Sequence, residues 1–130
     1  MMVGSKLKSP KKSKANFGAP ILEVSNLSLK SLDPFGTSLK DITFNLRAGE
    51  VMGVAGVAGN GQDELMLALS GETLTSTNSI KLEDKYIGQS NPVQRRLLGL
   101  LTAPEERLGH AAAPEMSLAE NTLLSGFQRQ

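Results

Sequence analysis

The residues best suited to chemistry lie between Gly53 and Asp63, in the stretch GVAGVAGNGQD. Gly56, Gly59 and Gly61 can take the positive φ angles that bring backbone N–H groups close to an anion. Beyond them Leu65, Ala68 and Leu69 recur at helical spacing, and Gly71 stands where a helix ends. The order is strand, glycine loop, helix, so an anion above Gly61 would meet exposed N–H groups and the positive end of a helix dipole. Spacing separates the phosphate-loop types. No register supplies the glycines of a dinucleotide fingerprint, whereas the frame GxxxxGK[ST] fits from Gly56 to Gly61, with Gln62 in the lysine position and Asp63 in the magnesium-binding Ser/Thr position.

Both departures weaken the cradle. Gln62 offers a neutral hydrogen bond where lysine would neutralise phosphate, a loss on the order of several kcal/mol at partly buried separations. Asp63 competes with a phosphate for the same helix end and repels it; as a direct magnesium ligand it would require the site to rearrange. Two readings stand side by side. In one, Gly56, Gly59, Asn60, Gly61, Gln62 and Asp63 bind a nucleotide weakly and without hydrolysis. In the other, the loop is a glycine-rich turn whose helix Asp63 caps internally.

The elements around the loop follow from pattern. Residues 21–30 alternate imperfectly as an early strand, and Pro34 and Gly36 break regular structure. Ile42, Phe44 and Leu46 then alternate with polar residues as a half-buried antiparallel strand. VMGVA at 51–55 has no polar residue and predicts a central strand covered on both faces. Ile80 and Leu82 predict an edge strand, and Asn91, Pro92 and Gln94 a short helix with Arg95 and Arg96 on its polar face. LLGLL at 97–101 predicts a second buried strand ended by Pro104, and Ser117 with Glu120 forms a capping box opening a helix through Leu124, with Gly126 near its end. His110 is the only histidine and reads as a loop residue without ligand partners.

Composition sets the class. With 130 residues, 39% hydrophobic and 21% charged, the chain has the size and make-up of one small α/β or α+β domain. It has no cysteine, which excludes disulfides and thiolate chemistry. No apolar run approaches the roughly 18 residues of a membrane span, so direct insertion is not expected. Five lysines and no acid occupy residues 1–14, leaving 9 basic against 13 acidic residues in the remainder, a net of −4. Residues 1–19 read as a basic tail or linker. An acidic body with 4% aromatics argues against nucleic-acid binding.

LRAGEVMGVAGVAGNGQDELMLALSG together with APEERLGHAAAPEMSLAENTLLSG resembles the second ATP-binding domain of ABC importers for simple sugars and nucleosides, over roughly residues 20–126. The resemblance implies an α/β fold of the P-loop NTPase type, an ABC ATPase-like partial domain over 20–130 with an antiparallel β-subdomain and the first part of a RecA-like core. In that family the second domain's lysine position is often degenerate, so Gln62 is within pattern and Asp63 departs from it. Pro104-Glu105-Glu106-Arg107 resembles the family's PEDR, with Glu105 where other ABC ATPases place the Q-loop glutamine that meets metal and water. Phe35 lies where such domains offer an aromatic to adenine.

The same resemblance implies ATP, with magnesium, as the cofactor, bound weakly or not at all here. It implies transmembrane permease subunits and another ATPase domain as partners, and a cytoplasmic position at the inner face of the membrane reached through the permease. The signature, Walker B carboxylate and switch histidine are not found before Gln130, so the chain is not expected to hydrolyse ATP alone. The alternative is an interaction or scaffold domain that keeps the fold and binds no nucleotide. A parallel core takes further strands after this point, so the strands at 51–55 and 97–101 are expected to keep apolar faces or edges unpaired, which predicts marginal stability or self-association.

Overall fold

A computed structural model describes residues 16–31, 34–106 and 109–126. The lysine-rich opening, Arg107 and residues 127–130 lie outside them.

Two long strands, β1 (Pro20–Leu29) and β2 (Leu39–Arg47), and two short ones, β3 (Ile80–Leu82) and β4 (Lys85–Tyr86), form one antiparallel sheet in the order β2-β1-β3-β4. The register brings apolar residues opposite one another: Val24 faces Phe44 in β2 and Ile80 in β3, and Leu22 faces Leu46 and Leu82. Such cross-strand pairs stabilise a sheet face. The alternation read in β2 holds, with Ile42, Phe44 and Leu46 half-buried between exposed neighbours.

The imperfect alternation in β1 marks an irregularity between Val24 and Leu27. Asn26 there takes φ 48° and its N–H donates to Thr43 Oγ1 at 2.9 Å, so the shift returns Leu27 to the core side.

Helices α1 (Gln62–Ser70), α2 (Pro92–Leu97) and α3 (Leu118–Gly126) follow the sequence signals closely. Asn91 and Gln94 form a reciprocal capping box on α2, at 3.0 and 2.9 Å. Ser117 and Glu120 form another before α3, with Glu120 Oε2 accepting from the Ser117 N–H at 2.8 Å and its hydroxyl at 2.7 Å. Gly71, at φ 87°, ends α1 and returns its N–H to the Leu67 carbonyl. The core joins Leu22, Val24, Leu27, Leu39 and Ile80 of the sheet with Ala68 of α1 and with Ile87; Leu65 and Leu69 pack against it from α1.

The two strands expected at 51–55 and 97–101 are absent. A strand persists where a neighbour takes its backbone hydrogen bonds, and residues 51–57 pair with no strand of the sheet and are exposed along their length. LLGLL is instead the end of α2. Gly99, at φ 97°, donates to the Arg96 carbonyl and Leu100 to that of Arg95, both at 3.0 Å, which is a Schellman closure with Leu100 as its apolar contact on the core. The antiparallel part of the expected fold is therefore present, and no parallel strand pair occurs among the described residues.

Arg95 is the largest correction. Read as the polar face of α2, it is the largest fully buried side chain among the described residues, 1% exposed. Its Nη1 donates to the carbonyls of Ala68 at 2.5 Å and Leu69 at 2.9 Å. Its Nη2 donates to Ile87 at 2.8 Å and Gly88 at 3.3 Å, and its Nε to Ser90 at 2.9 Å. The guanidinium thus serves the carbonyl end of α1, where a helix favours positive charge. Burial lowers its pKa from the ordinary arginine value. A side chain on Gly71 would come within 2.7 Å of the Ser90 carbonyl and 2.8 Å of Arg95 Nε, so the glycine that ends α1 also admits the clasp.

Candidate functional site

The glycine loop runs from Arg47 and the turn at Gly49, through the exposed segment 51–60, into α1. Gly59 and Gly61 sit in the left-handed region, at φ 82° and 98°, as expected of a loop that curls before a helix. Gly61 is the N-cap, and no side chain caps α1. The first helical bond is Leu65 N–H to Gly61 carbonyl at 2.9 Å, so the N–H groups of Gln62, Asp63 and Glu64 stand ahead of it at the positive end of the helix. Internal capping by Asp63 is therefore not what forms. Its carboxylate is exposed in the first turn.

Gln62 folds back over the loop. Its Nε2 donates to the Val57 carbonyl at 3.2 Å, and its Oε1 is buried without a hydrogen-bond partner. A Cβ at Gly56 would collide with this amide, so Gly56 is needed to let the side chain lie there. The position that carries lysine in the phosphate-loop frame thus carries a neutral group that braces the loop through its own backbone. Asn60 completes the turn, its N–H donating to the Val57 carbonyl at 3.2 Å.

The first N–H groups of α1 stand at the end of the helix that favours an anion. The side chains do not supply its countercharge: Gln62 is neutral and Asp63 is an acid. Among the described residues no group of three or more His, Asp or Glu side chains is placed to hold a metal ion.

Glu105 and Asp63 line one open cleft of about 620 Å³ between α1 and residues 102–106 and His110, together with Glu72 and Glu106. The glycines of the loop do not line it. His110, expected to lack partners, lies 3.1 Å from Glu72 Oε2. Phe35 is 97% exposed on the turn before β2. That turn is tied to the loop by Thr37, whose hydroxyl donates to the Gly59 carbonyl at 2.7 Å. Reading by residue type passed over Thr37 and Asn121 and placed Arg95 on a polar face. Asn121 bonds Ala113 through both ends of its amide, accepting at 2.8 Å and donating at 3.1 Å, and so fixes the approach to α3.

Compared with known proteins, the chain matches no family model, and no solved structure matches it. Curated relatives do. It is 30% identical to the guanosine import ATP-binding protein NupO of Bacillus subtilis over 100% of this chain and 26% of that protein. It is 35% identical to a ribose import ATP-binding protein, RbsA 2, of Rhizobium johnstonii over 99% of this chain and 24% of that one. The nucleoside import ATP-binding protein NupA of Lactococcus lactis subsp. cremoris is 35% identical over 84% of this chain and 21% of its own length. The chain spans about a quarter of the length of these relatives. No helix among the described residues is long and apolar enough to cross a membrane. Residue pattern and comparison converge: this chain is a relative of the ATP-binding proteins of ABC importers for sugars and nucleosides.

Proposed function

We propose that the chain is part of the nucleotide-binding component of an ABC importer for simple sugars or nucleosides, with the P-loop NTPase fold. Its glycine loop holds the phosphates of ATP through backbone donors. The observation that carries this reading is the left-handed Gly61 opening α1 with no side-chain cap, which leaves the N–H groups of the first turn without a capping side chain where an exposed loop meets the helix. Gly56, Gly59, Asn60 and Gly61 form the cradle, Gln62 braces it, and Asp63 stands where a bound magnesium would meet the protein. Glu105, on the cleft shared with Asp63, is the second acidic group of the site. ATP supplies the transferable phosphoryl group; the chain's own residues here bind and orient. With neither lysine at 62 nor a catalytic base assigned, the chain does not hydrolyse ATP by itself.

The partners on this reading are transmembrane permease subunits, met around Glu105 to Glu120, and another ATPase domain facing the glycine loop. The chain then lies on the cytoplasmic face of the membrane through the permease, without inserting into it.

A second reading has its own support. The Gln62 amide already occupies the inside of the loop, as a scaffold domain that binds no nucleotide would have it. A fluorescent ATP analogue titrated with and without magnesium separates the two. The chain is expected to bind weakly, and the double variant Gln62→Lys, Asp63→Ser at least about tenfold more tightly, as one restored charge contact predicts. No binding by either would support the scaffold.

A further inference from the structure

Thr37 touches the glycine loop and its helix in three ways. Its hydroxyl donates to the Gly59 carbonyl at 2.7 Å. Its methyl stands 3.5 Å from where a Cβ on Gly61 would lie. Its backbone N–H donates to Glu64 Oε1, in the first turn of α1, at 2.8 Å.

These bonds join positions 22 and 27 residues apart, and they act where the loop is least constrained by its own chemistry. Gly59 and Gly61 have no side chains to hold their left-handed angles. A planar peptide links the Gly59 carbonyl to the Asn60 N–H on its opposite edge. Thr37 holds the carbonyl edge and the Val57 carbonyl receives the N–H edge at 3.2 Å, so the orientation of that plane is fixed from both sides. We propose that Thr37, seated by Glu64, is a positioning residue: it sets the direction of the loop's N–H groups and makes the turn at 34–37 move with the loop. Its effect on affinity rests on the nucleotide reading above; its effect on loop order does not.

The test uses the full chain labelled with ¹⁵N. Thr37→Val keeps the shape and removes the hydroxyl, Thr37→Ser keeps the hydroxyl and removes the methyl, and Glu64→Ala removes the acceptor of the Thr37 N–H. Losing one hydrogen bond predicts about tenfold faster exchange of the Asn60 amide in Thr37→Val, with Thr37→Ser within about twofold of the parent chain. Affinity for the ATP analogue should fall about three- to tenfold in Thr37→Val and recover in Thr37→Ser. Glu64→Ala should speed exchange of the Thr37 amide itself.

Asn60 exchange in Thr37→Val within about twofold of the parent would overturn the proposal. So would Thr37→Ser behaving like Thr37→Val. Should Thr37→Val fail to fold, unchanged Thr37 exchange in Glu64→Ala overturns it instead, and faster exchange supports it. A parent chain that binds no ATP refutes the nucleotide reading alone, because the exchange comparison uses no nucleotide.

Discussion

Arg95→Met offers the sharpest check on how this fold is held. The substitution keeps an unbranched apolar stem and removes every donor. It leaves the buried bonds to the Ala68, Ile87 and Gly88 carbonyls unmade, and an unmet buried acceptor costs about 1–3 kcal/mol. The Ile87 carbonyl keeps the Ser90 N–H and the Gly88 carbonyl keeps the Thr75 N–H, so Ala68 is the one buried acceptor left unmet. The bonds to Leu69 and Ser90 are partly buried, and those carbonyls can recover water. Against this stands the desolvation of the guanidinium, the same cause that lowers its pKa, which the variant no longer bears. The balance is a destabilisation of about 2 kcal/mol, a sizeable share of the roughly 5–15 kcal/mol that holds a domain folded.

In urea, followed by far-ultraviolet circular dichroism, a slope near 1.5 kcal/mol/M turns that loss into a fall of about 1.3 M in the midpoint. Arg95→Lys keeps the charge and loses the planar fork, so its midpoint should lie between the two. An Arg95→Met midpoint within about 0.3 M of the parent at equal slope would refute the reasoning, because it would mean that water serves these carbonyls as well as the side chain does.

Two further outcomes follow from groups already placed. The Ser117 hydroxyl, and after it the Ser117 N–H, hold the Glu120 carboxyl below the usual carboxylate range. A depressed folded pKa means that the contribution of this cap is present above the unfolded value of about 4.3 and is lost as pH falls through the lower folded value. A ¹³C titration of the Glu120 carboxyl should show the depression, and Ser117→Ala, which removes the hydroxyl and keeps the N–H, should reduce it; equal midpoints in both chains would count against the cap. Val51, Val54 and Val57 are 96, 60 and 75% exposed in a segment that no strand covers, so sedimentation should detect association that rises with concentration and falls in Val54→Lys. A single monomeric species in the parent chain across the range would contradict this.

Local chemistry alone determined much of this protein. Both capping boxes, the glycine that ends α1, the half-buried face of β2 and the glycine loop ahead of a helix are set by residues within a few positions of one another. A reader of types and spacing can therefore find them. The same logic could have recovered the end of α2, since Gly99 follows a capped helix as Gly71 does; five apolar letters outweighed it.

Only the tertiary structure decided the rest. VMGVA has the composition of a central strand, yet a strand is a relation between segments, and without a neighbour the same residues stay exposed. Arg95 has the composition of a surface helix and is buried because five carbonyls from the end of α1 and the connection before α2 converge on it. Gln62 marks the missing charge in the sequence; that its amide turns inward on Val57 while Thr37 grips the loop from 22 residues away depends on contacts that no local pattern encodes.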